Sequence, residues 1–316
     1  MDLSNELLLE FLEKMYIIRN FEMKILNYAD RGLIFGAVHL CIGEEAAAVG
    51  TCMNLSKEDY VIITHRGHGQ AIVKGSDLKK LMAEILGKEQ GLCKGRAGSI
   101  HIVDMSVNNL GALGSIIGAS FPISIGVGLA LKLKKMDSIF MSYCGDGATN
   151  QGAFYESLNF ADLWQLPIIF VCVNNLYGMG TPYSRTCNIE IYKKAQYFNM
   201  PSIAIDGNDV VEVYLKTREL IDIVKKEKRP TFLELRTYRW IGHSSFDKHS
   251  YRPKEEIEEW KKLDPIKRLE EKLMNKDAMN KVKIELLKIS ANKLIDEAEK
   301  FAIESNYPDY DESMEQ

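Results

Sequence analysis

The sequence predicts an α/β fold built on a doubly wound parallel sheet. Short apolar segments rich in β-branched residues alternate along the chain with helical patterns at 151–164 and 209–228. Strands without a polar face are typical of parallel sheets covered on both sides, and strand–helix–strand units build such sheets through right-handed crossovers. We therefore expect one parallel sheet between two helical layers. The expected strands lie at 60–64, 138–143, 168–173, 202–205 and 231–237.

Helical patterns also flank the expected sheet. A long amphipathic helix is expected at 4–31, with Ser4 at its start, and a shorter helix is expected at 78–86. The C-terminal part of the chain is rich in charged residues, and its apolar residues recur at helical spacing. We expect residues 1–252 to form the main domain and residues 253–316 to form a helical extension packed on it. The helices of this extension are expected at 255–263, 264–273 and 282–305.

Composition narrows the class of protein. With 316 residues, 46% of them hydrophobic and 27% charged, the chain is long and apolar enough to build its own core. A net charge of −4 offers no overall attraction to nucleic acid or to an anionic membrane, so neither is an expected partner. The six cysteines include no Cys-x-x-Cys pair, which argues against a disulfide framework or a zinc ribbon. The scattered cysteines, and an acidic N-terminal helix that is unlike a signal peptide, favour a location in the reducing cytoplasm.

One long segment, 105–131, carries no charge. Glycine, serine and proline interrupt its apolar residues, so it is a poor membrane helix for a span that needs about 20 mostly apolar positions. Small residues at Gly118, Ser124, Gly126 and Gly128 allow another backbone to approach closely. The segment fits a helix packed against a partner subunit, and an internal contact between helix and sheet explains it comparably well.

Polar residues follow two of the expected strands. The sequence GDG, with Asp146 at its centre, ends one strand, and Asn174 and Asn175 end the next. The carboxyl ends of parallel strands share one edge of a sheet, which is where ligands bind in open α/β folds. Carboxylate and amide oxygens suit Mg²⁺, and the N–H groups of Gly147 and Ala148 at a helix start suit a phosphate. A diphosphate cofactor held by Mg²⁺ is one reading, and a capping aspartate followed by an asparagine-rich loop is the other.

The spacing of these motifs resembles that of thiamine-diphosphate enzymes. In those enzymes a GDG sequence is followed, as here after 26 residues, by a pair of asparagines, of which the second binds the metal. Over nearly the whole chain the sequence is similar to the alpha subunit of the first component of 2-oxo acid and acetoin dehydrogenase complexes. The matching segments, all in family order, are GAVHLCIGEEAAAVG, THRGHGQAIVKG, CKGRAGSIHI, TYRWIGHSSFD and YRPKEEIEEWKKLDPI. The resemblance implies a thiamine-diphosphate-binding fold.

Thiamine diphosphate and Mg²⁺ are the cofactors that the resemblance implies. It places the metal on Asp146, Asn175 and the carbonyl of Tyr177, and the diphosphate on Gly147 and Ala148. The other residues implied to contact the cofactor lie in four separate segments of the chain: His65 and Arg66, Ser115 and Ile117, Met179, and Arg239 and His243.

Histidine is the residue type that the implied chemistry needs, because protons must be exchanged near neutral pH. The resemblance implies catalytic roles for His39 and His68, which match histidines facing the substrate channel, and for His243 on a loop that closes on the phosphates. For His101 and His249 we expect only packing or surface roles.

A partner chain is implied by what the sequence lacks. The glutamate that activates the cofactor lies on a beta subunit in this family, while Glu44 and Glu45 of this chain fit the start of a helix. The resemblance thus implies two alpha with two beta subunits, together with a lipoyl-bearing acyltransferase that accepts the two-carbon unit. Two positions depart from the family pattern. Ser115 stands where many family members have glycine. The loop after His243 is shortened, so we infer no phospho-regulation at Ser244.

Substrate choice remains open between two members of the family. His65 in place of tyrosine and the short N-terminus are more similar to bacterial members that cleave acetoin, and pyruvate decarboxylation is the close alternative. A nicotinamide dehydrogenase is disfavoured because the sequence around Gly126 and Gly128 lacks a third glycine and follows no strand. A catalytically inactive paralogue that only binds a partner is disfavoured by the retained aspartate, asparagine and histidines.

Overall fold

A five-stranded parallel sheet forms the centre of the protein. The computed structural model describes residues 3–112, 116–248 and 250–309. Along the sheet the order is β1, β2, β3, β7, β6, and every pairing is parallel, as the sequence predicts. β4 and β5 form a separate two-stranded antiparallel ribbon. The strands are β1 (Tyr60–Ile62), β2 (Phe140–Gly145), β3 (Ile168–Asn174), β4 (Tyr177–Gly178), β5 (Thr181–Pro182), β6 (Ser202–Asp206) and β7 (Thr231–Arg236).

Helices cover both faces of this sheet because the strands bury side chains on both sides. In β2, Phe140 and Cys144 join one apolar cluster, whereas Met141 and Tyr143 join the cluster on the opposite face. The first face packs against α5 (Ser120–Leu133), α6 (Gly152–Leu163) and α7 (Ile191–Gln196). The second face packs against α2 (Glu45–Cys52), α3 (His68–Lys74) and α8 (Val210–Glu227). The alternation along β2 thus makes the fold doubly wound.

The N-terminal helix and the C-terminal helices share a third apolar cluster. The hydroxyl of Ser4 accepts a hydrogen bond from the Leu7 N–H at 3.2 Å and caps the first helix. Buried residues of this helix, among them Phe11, Met15 and Phe21, pack with Leu273 and other apolar residues of the C-terminal helices. The helices of this cluster include α1 (Asn5–Asp30), α4 (Leu78–Ile85), α10 (Pro265–Lys276) and α11 (Asn280–Glu304), whereas α9 (Lys254–Lys261) packs through Ile257 in a separate small cluster with Tyr177 and Tyr238.

The uncharged segment contains α5, and its small residues divide between two faces. Ser124 is buried and donates to the hydroxyl of Ser142 in β2 at 2.8 Å. A Cβ atom on Gly128 would lie 2.7 Å from Cδ1 of Ile168, so the helix approaches β3 closely at this point. Gly126 points the other way, with no atom within 4 Å of its hypothetical Cβ. The internal contact therefore accounts for Ser124 and Gly128 but not for Gly126.

No helix in the described ranges, 3–112, 116–248 and 250–309, has the length and apolar character needed to cross a membrane.

We expect Gly128→Ala to destabilise the protein by about 1–3 kcal/mol, because the added methyl group would overlap the Ile168 side chain. Gly126→Ala on the same helix is the matched control, and it should raise stability by about 0.5–1 kcal/mol through improved helix propensity. Urea unfolding of both variants measures the two free-energy changes. Equal effects at the two positions would contradict the division of α5 into an inner and an outer face.

Candidate active site

A cavity of about 470 Å³ opens beyond the carboxyl ends of β1, β2 and β3. Its lining includes residues 63–66 after β1, residues 143–148 at the end of β2, and Val173 and Asn175 at the end of β3. Residues before β1, residues between β1 and β2, and residues after β7 complete its lining. The cavity therefore occupies the place where parallel sheets bind ligands.

Asp146 lies at the point where β2 enters a 3₁₀ turn, Asp146–Asn150. Its side chain is buried, and Oδ2 has no hydrogen-bond partner within the described part of the chain. Burial raises the pKa of this carboxyl to about 6, although the N–H groups of Asp146 and Gly147 oppose the shift. A buried carboxylate oxygen without a partner is costly unless a cation or a donor supplies one.

Asn175 follows β3 and faces the same cavity. Its Nδ2 donates to Oε1 of Glu44 at 3.1 Å, and the Thr237 hydroxyl donates to the same oxygen at 3.0 Å. A carboxylate accepts only, so Glu44 fixes the amide with nitrogen toward itself and leaves Oδ1 without a described partner. Sequence reasoning treated Glu44 only as the start of a helix; α2 does begin at Glu45, but the sequence gives no local sign of this distant contact.

The 3₁₀ turn presents Gly147 and Ala148 to the cavity. These residues were expected to lead directly into a helix, but α6 begins only after the turn has ended. Lys194 of α7, which is buried, donates to the carbonyl of Thr149 at 3.2 Å and so fixes the far end of the turn. Sequence reasoning did not identify this lysine, since nothing in its own segment indicates burial.

Arg239, which follows β7 and is almost fully buried, organises the opposite wall. It donates to the carbonyl of Tyr177 at 3.0 Å, to the carbonyl of Met179 at 2.5 Å and to the hydroxyl of Tyr251 at 2.7 Å. The Tyr177 carbonyl expected on the metal thus already accepts one hydrogen bond and keeps its second lone pair. Met179 adopts a left-handed backbone, with φ at 54°, and its side chain is 64% exposed at the rim of the cavity.

Arg66 brings a second guanidinium to the cavity from the end of β1. It donates to the carbonyl of Leu40 at 2.6 Å and to the carbonyl of His243 at 2.9 Å. Its Nε lies 3.7 Å from Oε2 of Glu44, the oxygen that does not accept from Asn175, and forms an ion pair with it. Arg66 and Arg239 together give this end of the cavity the positive charge that suits a phosphate group.

Three histidines from separate segments meet beside these arginines. The ring centroids of His39 and His65 are 4.7 Å apart, those of His39 and His243 are 4.9 Å apart, and those of His65 and His243 are 5.5 Å apart. Burial, reinforced by the charge of Arg66, lowers the pKa of His39 to about 3 and that of His243 to about 4, and lowers the pKa of His65 as well. All three are therefore neutral near pH 7.

His68, expected at the substrate channel, does not line the cavity in this structure. It is only 1% exposed; its Nδ1 lies 2.9 Å from Oε2 of Glu22 in α1, and its Nε2 lies 3.1 Å from the carbonyl of Ser99. Burial opposes the charge, but the Glu22 carboxylate raises the pKa of His68, and His68 lowers the pKa of Glu22. The ring is therefore held as half of a buried ion pair, outside the lining of the cavity.

The last two residues expected to contact the cofactor, Ser115 and Ile117, lie in the segment just before α5. Ile117 lines the cavity beside Ile116 and Gly118. Ser115, expected near the aminopyrimidine ring, lies outside the described residues. The structure therefore brings most of the predicted residues to one cavity, with His68 outside it and Ser115 undescribed.

The amino-acid sequence is similar to that of known dehydrogenase subunits over nearly its whole length. Residues 13–311 match the family described as dehydrogenase E1 component. The chain is 40% identical over 311 residues to the alpha subunit of acetoin:2,6-dichlorophenolindophenol oxidoreductase of Bacillus subtilis, covering 98% of this chain and 92% of that protein. The same subunit of Cupriavidus necator is 41% identical over 258 residues, covering 81% and 77%. The pyruvate dehydrogenase E1 component subunit alpha of Rickettsia prowazekii is 36% identical over 299 residues, covering 94% and 91%.

Proposed function

The chain belongs to the dehydrogenase E1 component family, and from that premise we propose that it is the alpha subunit of a thiamine-diphosphate- and Mg²⁺-dependent acetoin dehydrogenase. In this role it cleaves acetoin together with a beta subunit and passes the two-carbon unit to a lipoyl carrier. The observation that carries the proposal is the pair of unpartnered oxygens, Asp146 Oδ2 and Asn175 Oδ1, on the wall of one cavity. The alternative is the alpha subunit of pyruvate dehydrogenase, which carries out oxidative decarboxylation of pyruvate.

The donor set supports Mg²⁺ as the ion at this site. A carboxylate oxygen of Asp146, the amide oxygen of Asn175 and the free lone pair of the Tyr177 carbonyl are all hard oxygen ligands. Mg²⁺ keeps part of its coordination for water and phosphate oxygens, so an incomplete protein set is what such a site needs. Glu44 acts behind Asn175 by holding its amide in the ligating orientation.

The arginines and histidines of the cavity have roles that their surroundings suggest. Thiamine diphosphate, when bound, supplies the nucleophilic carbon and the electron sink of the reaction. Arg66 and Arg239 neutralise the diphosphate, and His65 and His243 can donate hydrogen bonds to it. His39 is neutral, and its Nδ1 has no described partner, so it is available to hydrogen-bond a substrate hydroxyl and orient it.

Relative turnover of acetoin and pyruvate tests the substrate. We expect the chain, co-purified with its beta subunit, to reduce an artificial electron acceptor faster with acetoin than with pyruvate. The alpha subunits of the two acetoin oxidoreductases at 40% and 41% identity support this preference. Equal turnover of both substrates would refute the acetoin assignment, and turnover of pyruvate alone would establish the alternative.

The beta subunit, in our proposal, covers the outer faces of α5 and α6. Leu133 and Leu163 at the ends of these helices are 72% and 67% exposed, and Trp164 lies beside them with its carbonyl accepting from Lys132 at 2.6 Å. Exposed apolar residues grouped in this way favour a protein partner. Two alpha with two beta subunits, a lipoyl-bearing acyltransferase as the next acceptor and a cytoplasmic location complete the proposal.

We expect Leu163→Arg to weaken association with the beta subunit by at least about tenfold, because a charge would be buried at the contact. The matched control is Leu286→Arg on α11, where the side chain is 60% exposed and far along the chain from α6. Analytical ultracentrifugation of each variant with the beta subunit measures the affinity. If Leu286→Arg weakened association and Leu163→Arg did not, the contact with the beta subunit would involve α11 rather than α6.

A further inference from the structure

The three histidines at the mouth of the cavity form a cluster with the geometry of a metal site. One ring nitrogen from each of His39, His65 and His243 lies within 4.8 Å of the other two. Zn²⁺ holds imidazole nitrogens at about 2.0–2.1 Å, which places them about 3.4 Å apart in a tetrahedral site. To bind one ion, the three nitrogens must therefore approach one another by up to about 1.4 Å.

The nitrogens of this cluster are available for a ligand. Nδ1 of His39 and Nδ1 of His243 are buried and have no hydrogen-bond partner among the described residues. The His39 side chain is only 8% exposed, so water does not readily satisfy it. A buried nitrogen without a partner is costly, and a cation that binds the lone pairs of both nitrogens removes that cost.

Ligand chemistry separates this cluster from the site expected for Mg²⁺. Imidazole nitrogens select Zn²⁺, Cu²⁺, Ni²⁺ or Co²⁺, whereas Mg²⁺ prefers the carboxylate, amide and carbonyl oxygens at Asp146 and Asn175. One cavity thus offers two kinds of metal site. The neighbouring guanidinium groups of Arg66 and Arg239 repel a cation, so we expect weaker binding than at an isolated set of three histidines.

We propose that the cofactor-free chain binds one Zn²⁺-type ion through His39, His65 and His243, and that this ion and the cofactor exclude each other. The exclusion rests on the proposed function, which places the diphosphate on His65 and His243. The metal site itself rests only on the geometry of the three rings. A bound ion would keep the chain in an inactive form until a chelator or a high concentration of cofactor released it.

Cobalt absorption tests the site directly. Tetrahedral Co²⁺ with nitrogen ligands absorbs strongly in the visible range, so titration of the cofactor-free 316-residue chain with Co²⁺ reports both stoichiometry and geometry. We expect one ion per chain, displaced by Zn²⁺ and not by excess Mg²⁺. His39→Asn, His65→Asn and His243→Asn should each weaken binding at least about tenfold, since each removes one of three ligands.

His101→Asn is the control, because it removes a histidine that is not part of the cluster. Co²⁺ binding that survives all three cluster variants, or that His101→Asn reduces equally, would overturn the metal site. A Co²⁺ spectrum unchanged by saturating thiamine diphosphate and Mg²⁺, in a chain shown calorimetrically to bind both, would overturn the exclusion. A complex of the chain with its beta subunit that binds no thiamine diphosphate would refute the proposed function, while the Co²⁺ titration would still decide the metal site.

Discussion

Replacing both Asp146 and Asn175 with alanine is expected to weaken Mg²⁺-dependent binding of thiamine diphosphate by more than about 100-fold. Loss of a residue that merely supports a metal ligand already costs about 10–100-fold, and here two ligands are removed. The paired change removes two buried oxygens that have no partner among the described residues, so their loss should leave the chain folded. Isothermal titration of the chain reconstituted with its beta subunit measures the affinity.

Two further variants make this result interpretable. Asp137→Ala removes an exposed aspartate outside the cavity and should leave affinity unchanged. Glu44→Gln keeps the shape of the side chain but can present an amide nitrogen to Asn175, so we expect an intermediate loss of about 10–100-fold. If the double variant bound Mg²⁺ and thiamine diphosphate as tightly as the parent chain, the assignment of the metal site and the proposed function would both be wrong.

Replacing Glu22 with glutamine is expected to lower the free energy of unfolding by about 3–5 kcal/mol near neutral pH. The change leaves the buried His68 without its counter-charge, and breaking one side of a buried ion pair has costs of about this size. Glu22 also accepts hydrogen bonds from the N–H and the thiol of Cys41, each at 3.0 Å, so it ties α1 to the loop before α2. Chemical denaturation of both chains measures the difference.

The loss should depend on pH in a definite direction. The pKa of His68 is raised in the folded chain, so its contribution is complete below the ordinary value of 6.5 and disappears as pH rises through the raised pKa. The pKa of Glu22 is lowered, so its contribution is complete above 4.5 and disappears as pH falls through the lowered pKa. The stability difference between parent and variant should therefore be largest from pH 4.5 to 6.5 and should shrink as pH rises through the raised pKa of His68 or falls through the lowered pKa of Glu22.

The control for this prediction is Glu10→Gln, an exposed position on the same helix, where a change within about 0.5 kcal/mol is expected. A second check uses His68→Asn combined with Glu22→Gln. Since the two residues act as one pair, the double variant should lose less than the sum of the single losses. Strict additivity, or a Glu10→Gln effect as large as that of Glu22→Gln, would show that the ion pair does not stabilise the fold.

Local patterns were sufficient to predict most of the fold. Asp209 illustrates why: its Oδ1 accepts from the N–H groups of Val211 and Glu212 at 3.0 and 3.1 Å, so the start of α8 is determined within four residues. β2 is a partial exception, because it begins and ends two residues later than expected. Its limits follow the pairing of Phe140 with Ile168 and of Gly145 with Val173, which depends on a neighbouring strand.

The candidate site was predictable only in part, for a related reason. Asp146 and Asn175 could be placed together because parallel strands in register end at one edge, a rule that needs no side-chain contacts. The position of His68 could not be predicted, since its partner Glu22 lies 46 residues away on α1. Likewise, no local pattern indicates that Glu44 orients Asn175, because tertiary packing alone brings them together.

The contacts of Glu44 have a consequence for how the protein matures. They join Glu44 to Asn175, 131 positions away, and to Thr237, 193 positions away. The ligating orientation of Asn175 therefore requires the start of α2, the end of β3 and the end of β7 to be assembled together. Contacts between such distant positions form slowly, because the long intervening loops must close first. If the proposed function is right, a chain still emerging from the ribosome, with β7 unfinished, lacks the Thr237 contact to Glu44, so we expect it to hold the metal less tightly than the complete chain.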